Sequence, residues 1–160
     1  MPDIISDGNT RVFWVTTIAN TSSPTAAELN AGILLHSTMT PDGLAGFQPT
    51  TADVPNRKLD STFNTVDAGS VSYSGNPELH FYKQSGTDTI YDTLTRNTAG
   101  FVAVRRSLLA STTWIAAQKA EIYPAKCGEV SKMDPVQDTE EMYAVPIKIT
   151  SQPVLRATVA

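Results

Sequence analysis

Few residues of this 160-residue chain are of the types that do chemistry, and their spacing gives them no reaction to run. The two histidines are His36 and His80. Neither lies in an HExxH pattern or has a second His or Cys at ligand spacing, so a shared metal site would depend on tertiary proximity alone. Ordinary strand positions account for both, since His36 ends an apolar run and His80 sits between Leu79 and Phe81. No serine lies in GxSxG, and neither GxGxxG nor GxxxxGKS/T is present to cradle a phosphate. Cys127 follows Lys126, a cation that favours a thiolate; a small, partly buried side chain at a strand end is the plainer account. Glu140 and Glu141 are adjacent, so in extended chain they point apart and cannot flank one bond. The expectation is a protein with no catalytic residue, metal or cofactor.

Two groups suit contacts better than catalysis. Arg105 and Arg106 form the one basic doublet, and in a strand their guanidinium groups project to opposite faces. That geometry favours salt bridges across subunit contacts over a phosphate clamp. Tyr73, Phe81, Tyr82 and Tyr91 have the type of a stacking platform for sugars or bases. Their neighbourhoods are not basic, and a core or interface role is the simpler one.

The elements that position these residues are mostly strands. Charged residues make up only 18% of the chain, and Ser with Thr about a fifth, a balance that suits strands carrying Thr on their solvent faces. One domain spanning residues 1–160 is expected, large enough to bury roughly 70% of its unfolded surface. A net charge of −4 argues against a nucleic-acid-binding face, and the single cysteine excludes an internal disulfide. No apolar run approaches a membrane span, and the first residues lack the basic start and apolar core of a signal peptide. A soluble, cytoplasmically made protein without a membrane partner follows.

Along the chain, residues 1–10 form a polar arm with a turn at Asp7-Gly8-Asn9. Arg11–Ala19 is the first strong strand, with Val12, Trp14 and Ile18 on one face and Phe13 and Val15 on the other, so both faces should be covered. Pro24–Ala31 predicts a short helix stopped by Gly32, and Ile33–His36 a short strand. Met39–Lys58, with three prolines and two glycines, has no usable period and predicts a long loop tipped by apolar side chains. Strands are expected over Leu59–Phe63, Ser70–Tyr73 and Glu78–Lys83. The stretch DTIYDTLTRNTAGFVAVRRS then predicts the main helix, capped by Thr87 or Asp88, faced by Ile90, Tyr91 and Leu94, and ended at Asn97 and Gly100. It feeds a strand over Phe101–Arg106. A further strand is expected over Trp114–Tyr123, broken at Pro124. In Met142–Thr150, Tyr143, Val145, Ile147 and Ile149 alternate onto one face, and Pro146 predicts an edge position or bulge. The tail 151–160 should be an extended arm. Six to eight strands with one main and one minor helix make the fold class β-rich α+β, a β-sandwich or barrel with a flanking helix.

The order of "IYDTLTRNTAGFVAVRR", "AEIYPAKCGEV" and "YAVPIKITSQP", preceded by "RKLDSTFNTVDAGSVSYSGNPELHFYKQ", resembles the major tail tube proteins of long-tailed, siphovirus-type phages, especially those of actinobacteria. The likeness runs from about residue 57 to residue 152 and rests on aromatic, Gly and Pro patterns. It implies hexameric rings that stack into a hollow tube, a structural virion protein of the phage tail assembled in the host cytoplasm. Its partners would be further copies of itself, the tape measure protein, the tail terminator and the tail-tip or distal tail proteins. DNA would pass through the lumen without specific binding, which an acidic protein permits. The immunoglobulin-like C-terminal domain of some relatives would be absent after Ala160.

On that resemblance the loop 39–58 makes the inter-ring contact, through Met39, Pro41, Leu44, Phe47 and Val54. Arg105, Arg106, Val154 and Leu155 make contacts between subunits, and Asp67 and Glu78 face the lumen. Two other classes compete with it. One is the tube protein of a contractile secretion system or phage-derived particle. The other is a carbohydrate-binding β-sandwich, a tail-tip or adhesin module that needs exposed aromatic residues.

Overall fold

The computed structural model describes residues 1–160. Strand β1 (Arg11–Val15) is followed by helix α1 (Ala26–Asn30) and by β2 (Ile33–Leu34), β3 (Met39–Ala45), β4 (Thr50–Pro55), β5 (Val66–Ser72) and β6 (Glu78–Tyr82). Helix α2 (Thr89–Thr93) precedes β7 (Ala99–Arg105), β8 (Lys119–Cys127), β9 (Ser131–Lys132), β10 (Met142–Ile149) and β11 (Val154–Thr158). Nine strands form one antiparallel sheet in the order β2-β1-β7-β8-β10-β6-β3, with β11 beside β8 and β9 beside β10. The sheet curls into a half-barrel, and β4 with β5 makes a separate two-stranded ribbon. The fold is therefore β-rich and barrel-like, as the strand patterns imply.

Strand β10 turns the corner. Its second half pairs with β8 (Ile147 opposite Cys127) and its first half with β6 (Tyr143 opposite Phe81), so one strand serves both walls of the curl. Pro146 lies mid-strand, away from any sheet edge. Its carbonyl accepts from the Gly128 amide, so the side lacking an N–H faces the irregular segment where β8 hands over to β9. A Cβ on Gly128 would stand 3.1 Å from the proline ring, a tight contact that glycine avoids. Pro124 does not break β8 for the same reason. Its carbonyl accepts from Thr150, and its donor-less side faces the turn between β10 and β11.

Inside the curl lie Val12, Trp14, Val102, Val104, Leu79, Phe81, Tyr143, Val145 and Ile147, joined by Ile90 and Leu94 from the α2 region. The outer face of β1, β7 and β8 buries Phe13, Val15, Ala103 and Ile122 under Leu29, Trp114, Ala157 and Val159. Strand β1 is thus covered on both faces. Ile18 belongs with Phe13 and Val15, contrary to its parity, because the strand ends at Val15. The 151–160 tail is not a free arm: β11 bonds to β8 and Ala157 and Val159 are fully packed.

Both helices are one short turn each. Thr25 and Glu28 make a reciprocal capping box at α1. Asp88 caps α2 by accepting from Tyr91 N, but the helix stops at Thr93, so there is no main helix. Asn97 supplies a left-handed residue (φ 70°) in the following turn. Gly100 does not cap the helix. It lies in β7, where a Cβ would stand 2.7 Å from the Trp14 ring. Residues 59–63 form turns and no strand, Trp114 belongs to a loop, and the 39–58 stretch is mainly strand, β3 and β4.

Candidate functional site: the assembly surfaces

Among the strands of five or more residues, the least covered are the two of the β4–β5 ribbon. Thr50, Thr51, Val54, Val66 and Val71 favour extended backbone, and the two strands pair from Thr50–Ser72 to Pro55–Val66 with a bulge between Thr51 and Asp53. Gly69 is required there, since a Cβ would meet the Ala52 carbonyl at 2.9 Å. Every β4 residue is exposed, and so are all of β5 except Gly69, so neither face of the ribbon has a cover. No strand pairing joins it to the main sheet. At its tip Leu59 is fully exposed and Phe63 is 73% exposed, while Asn56–Asp67 and Arg57–Asn64 hydrogen bonds hold the turn. An isolated two-stranded ribbon is marginally stable in water, so an element with this much bare apolar surface calls for a partner. At its base a groove of about 840 Å³ runs between Val71 and Tyr73 on one side and Pro153 and Leu155 on the other.

The residues expected to contact other copies fall into two sets. Val54 lies on the ribbon and is exposed, Leu155 is exposed at the groove, and Pro41 is exposed on β3, a strand at one edge of the sheet. Met39, Leu44 and Val154 are half-buried and pack against their own chain's cores. Phe47 is buried and stacks edge-on against Tyr123 at 5.1 Å between centroids, so it anchors its own fold and is not available to another ring. The period of the 39–58 stretch hid this, because Pro41, Gly43 and Pro49 interrupt the alternation. Val66, Val71, Leu59 and Phe63, exposed on the ribbon and its tip, are not among the residues expected from the sequence. The only signal of Leu59, Phe63 and Val66 is an apolar residue isolated among polar neighbours in "LDSTFNTVDAG", and Val71 stands the same way between Ser70 and Ser72.

Arg105 is not an intersubunit residue. It is 1% exposed, and its Nη atoms donate to the Leu109, Thr112 and Thr113 carbonyls and to Gln118 Oε1. Arg106 does project to the other face, but its Nε donates to Glu121 of the same chain at 3.0 Å. Of the acidic pair expected at the lumen, Asp67 lies on the ribbon and accepts from Asn56, and Glu78 lies on β6 within 3.1 Å of His80 Nε2. Asp42 Oδ2 approaches the other nitrogen of that ring at 3.7 Å. The two carboxylates flank the ring from opposite sides, and no group of three or more His, Cys, Asp or Glu residues converges to hold a metal ion.

The remaining candidates for chemistry are structural. Burial pushes the Cys127 thiol up to about 11, so the neighbouring Lys126, pointing to the opposite face, does not activate it. His36 Nδ1 lies 3.3 Å from the Val12 amide, and burial lowers its basicity. Phe81 and Tyr143 stack inside the core, Tyr91 meets Tyr143 edge-on, and Tyr73 meets Tyr123, so these rings are not an exposed platform. No helix is long and apolar enough to cross a membrane.

A family model described as "Phage tail tube protein" matches residues 1–160, the whole chain. The chain belongs to the phage tail tube protein family. It is accordingly a structural tail component, a member of a family of tube subunits and not of enzymes. Among solved structures it is similar to a chain in "Cryo-EM structure of the anti-feeding prophage (AFP) baseplate, 6-fold symmetrised". The TM-score is 0.62 at 10% identity, covering 96% of this chain and 97% of that one, which is a likeness of fold. No curated protein matches.

Proposed function

We propose that this chain is the subunit of a siphovirus-type tail tube. Six copies close into a ring, rings stack into a hollow tube, and the tube houses the tape measure protein and conducts genomic DNA. One observation carries it: on a chain that matches the tail tube family throughout, a whole ribbon finds no cover within its own fold. A ring supplies the cover, because each copy offers the next a face and the sheet edges at β2 and β3 cease to be open. The ribbon's Val54, Leu59, Phe63, Val66 and Val71 lie against a neighbouring copy, with Pro41 of β3 and Leu155 as further contacts. The six-fold symmetrised assembly of the structurally similar protein supports the ring number.

In this tube Glu78 and Asp67 belong to the channel wall, where acidic groups keep DNA from adhering. Terminator and tail-tip proteins close the two ends, and assembly takes place in the host cytoplasm. The baseplate origin of the similar structure favours one second reading, a tube subunit of a phage-derived contractile particle. Negative-stain electron microscopy of the concentrated protein, with its mass from light scattering, tests the proposal. Hollow rings or tubes are expected. A monomer or trimer that retains cell-wall glycans would replace the proposal with a carbohydrate-binding module.

A further inference from the structure

Arg11 and Arg105 are cross-strand partners on β1 and β7, 5% and 1% exposed, and no carboxylate lies within ion-pair distance of either. Arg11 donates to the Ala110 carbonyl at 2.6 Å and Arg105 to the carbonyls of Leu109, Thr112 and Thr113. Both guanidinium groups lie near the Trp114 ring, and the Nε atoms of both have no partner. Burial lowers the pKa of both arginines, and at Arg105 the neighbouring Arg11 adds to it. Two buried like charges without a counter-ion are costly. What they accomplish is to turn the carbonyls of one loop inward, which leaves Leu108, Leu109 and Ile115 facing solvent.

That loop, residues 107–118, contains no charged residue, so nothing on it neutralises the cations beneath. Lys119 follows it. Arg106 nearby is matched by Glu121, and the N-terminal arm, tied on by a bond from Ala110 N to the Gly8 carbonyl, brings Asp3 and Asp7. A second segment, residues 133–141, has the opposite character. It holds Asp134, Asp138, Glu140 and Glu141 with no Lys or Arg between them, and it exposes Val136. Lys132 borders it.

The topology keeps the two apart within one chain. Residues 107–118 join the end of β7 to the start of β8, whereas 133–141 lead into the start of β10, which lies beyond the Cys127 end of β8. The nine residues of β8 separate them by about 30 Å. We infer that segment 133–141 of one copy docks on loop 107–118 of a second copy, head to tail along the strands. Acidic side chains and Val136 meet an apolar, hydroxyl-bearing surface over two arginines that have no carboxylate within ion-pair distance. A contact between two different surfaces at opposite ends of a subunit is heterologous, and where its rotation does not close a ring it extends a filament. It rests on the tube assignment and names the partner surfaces that assignment leaves open.

The test uses the full chain with Ser111→Cys in one preparation and Gln137→Cys in another, both positions exposed. Buried Cys127 is the background control. Mixed, assembled and oxidised, the two should give a cross-linked dimer that neither gives alone, and S111C/Q137C in one chain should give a ladder of higher oligomers. Glu140→Lys with Glu141→Lys should shorten the tubes at least tenfold while leaving the monomer folded. Tubes of normal length without a cross-link would overturn this contact and leave the tube assignment standing. Failure of the unmodified chain to form rings or tubes under any condition would overturn both. A cross-link confined to the monomer of the double variant would also overturn the contact.

Discussion

The half-barrel and the β4–β5 ribbon are built from the same residue types and differ in what lies over them. In the half-barrel, β1 carries Trp14 into the curl and Phe13 into the outer cluster, and all five of its residues are buried. In the ribbon, Val54, Val66 and Val71 have the same extended backbone and ladder hydrogen bonds, yet each is exposed. The ladder alone therefore does not account for stability. Burial of side chains from at least one face does. The half-barrel is covered within one chain, and the ribbon is not.

Changes in the half-barrel should act on folding and changes in the ribbon on assembly. Trp14→Ala removes a fully buried ring shared by β1, β7 and Gly100, and should cost about 3–5 kcal/mol by urea denaturation. Asp88 ties α2 to the sheet. Burial pushes its carboxyl up, but the Gln84 and Tyr91 amides and Lys83 outweigh that and hold it below its usual value. A depressed carboxyl stabilises the fold above the unfolded pKa of about 3.9, and that contribution is lost as pH falls through the lower folded value. The acid side of the urea midpoint against pH should flatten in Asp88→Asn; an unchanged slope would remove Asp88 from this role.

Thr25→Ala takes away one half of the α1 capping box and should cost about 1 kcal/mol, read from the same denaturation curves. Smallest on folding, and most informative, is Leu59→Ser with Phe63→Ser at the ribbon tip. The free chain should keep its stability within about 0.5 kcal/mol, because both side chains already stand in water. Tubes counted by electron microscopy should be lost. A large loss of monomer stability would place the tip in the fold and erase the distinction.

Local physics is legible in the sequence where neighbours along the chain decide the outcome. The alternation of Tyr143, Val145, Ile147 and Ile149 in β10, the short helix after Pro24, the Asp88 cap and the two-sided burial of β1 all have that character. Pro124 and Pro146 could not be placed, because each is tolerated where its strand changes partner, a property of the sheet and not of the strand. Arg105 was expected at a surface because charge is rarely buried unpaired; only the tertiary loop of carbonyls shows how it is held. The ribbon was misjudged for a related reason. Burial periodicity marks strands that have a cover, and this element has none within the chain.

Amide hydrogen exchange, compared residue by residue between the free chain and assembled tubes, tests most directly whether the ribbon is completed by another copy. Residues 50–55 and 66–72 should exchange quickly in the free chain, far faster than β7, β8 and β10, and become strongly protected in the tube. Equal protection of the ribbon in both states, whether high or low, would contradict the account.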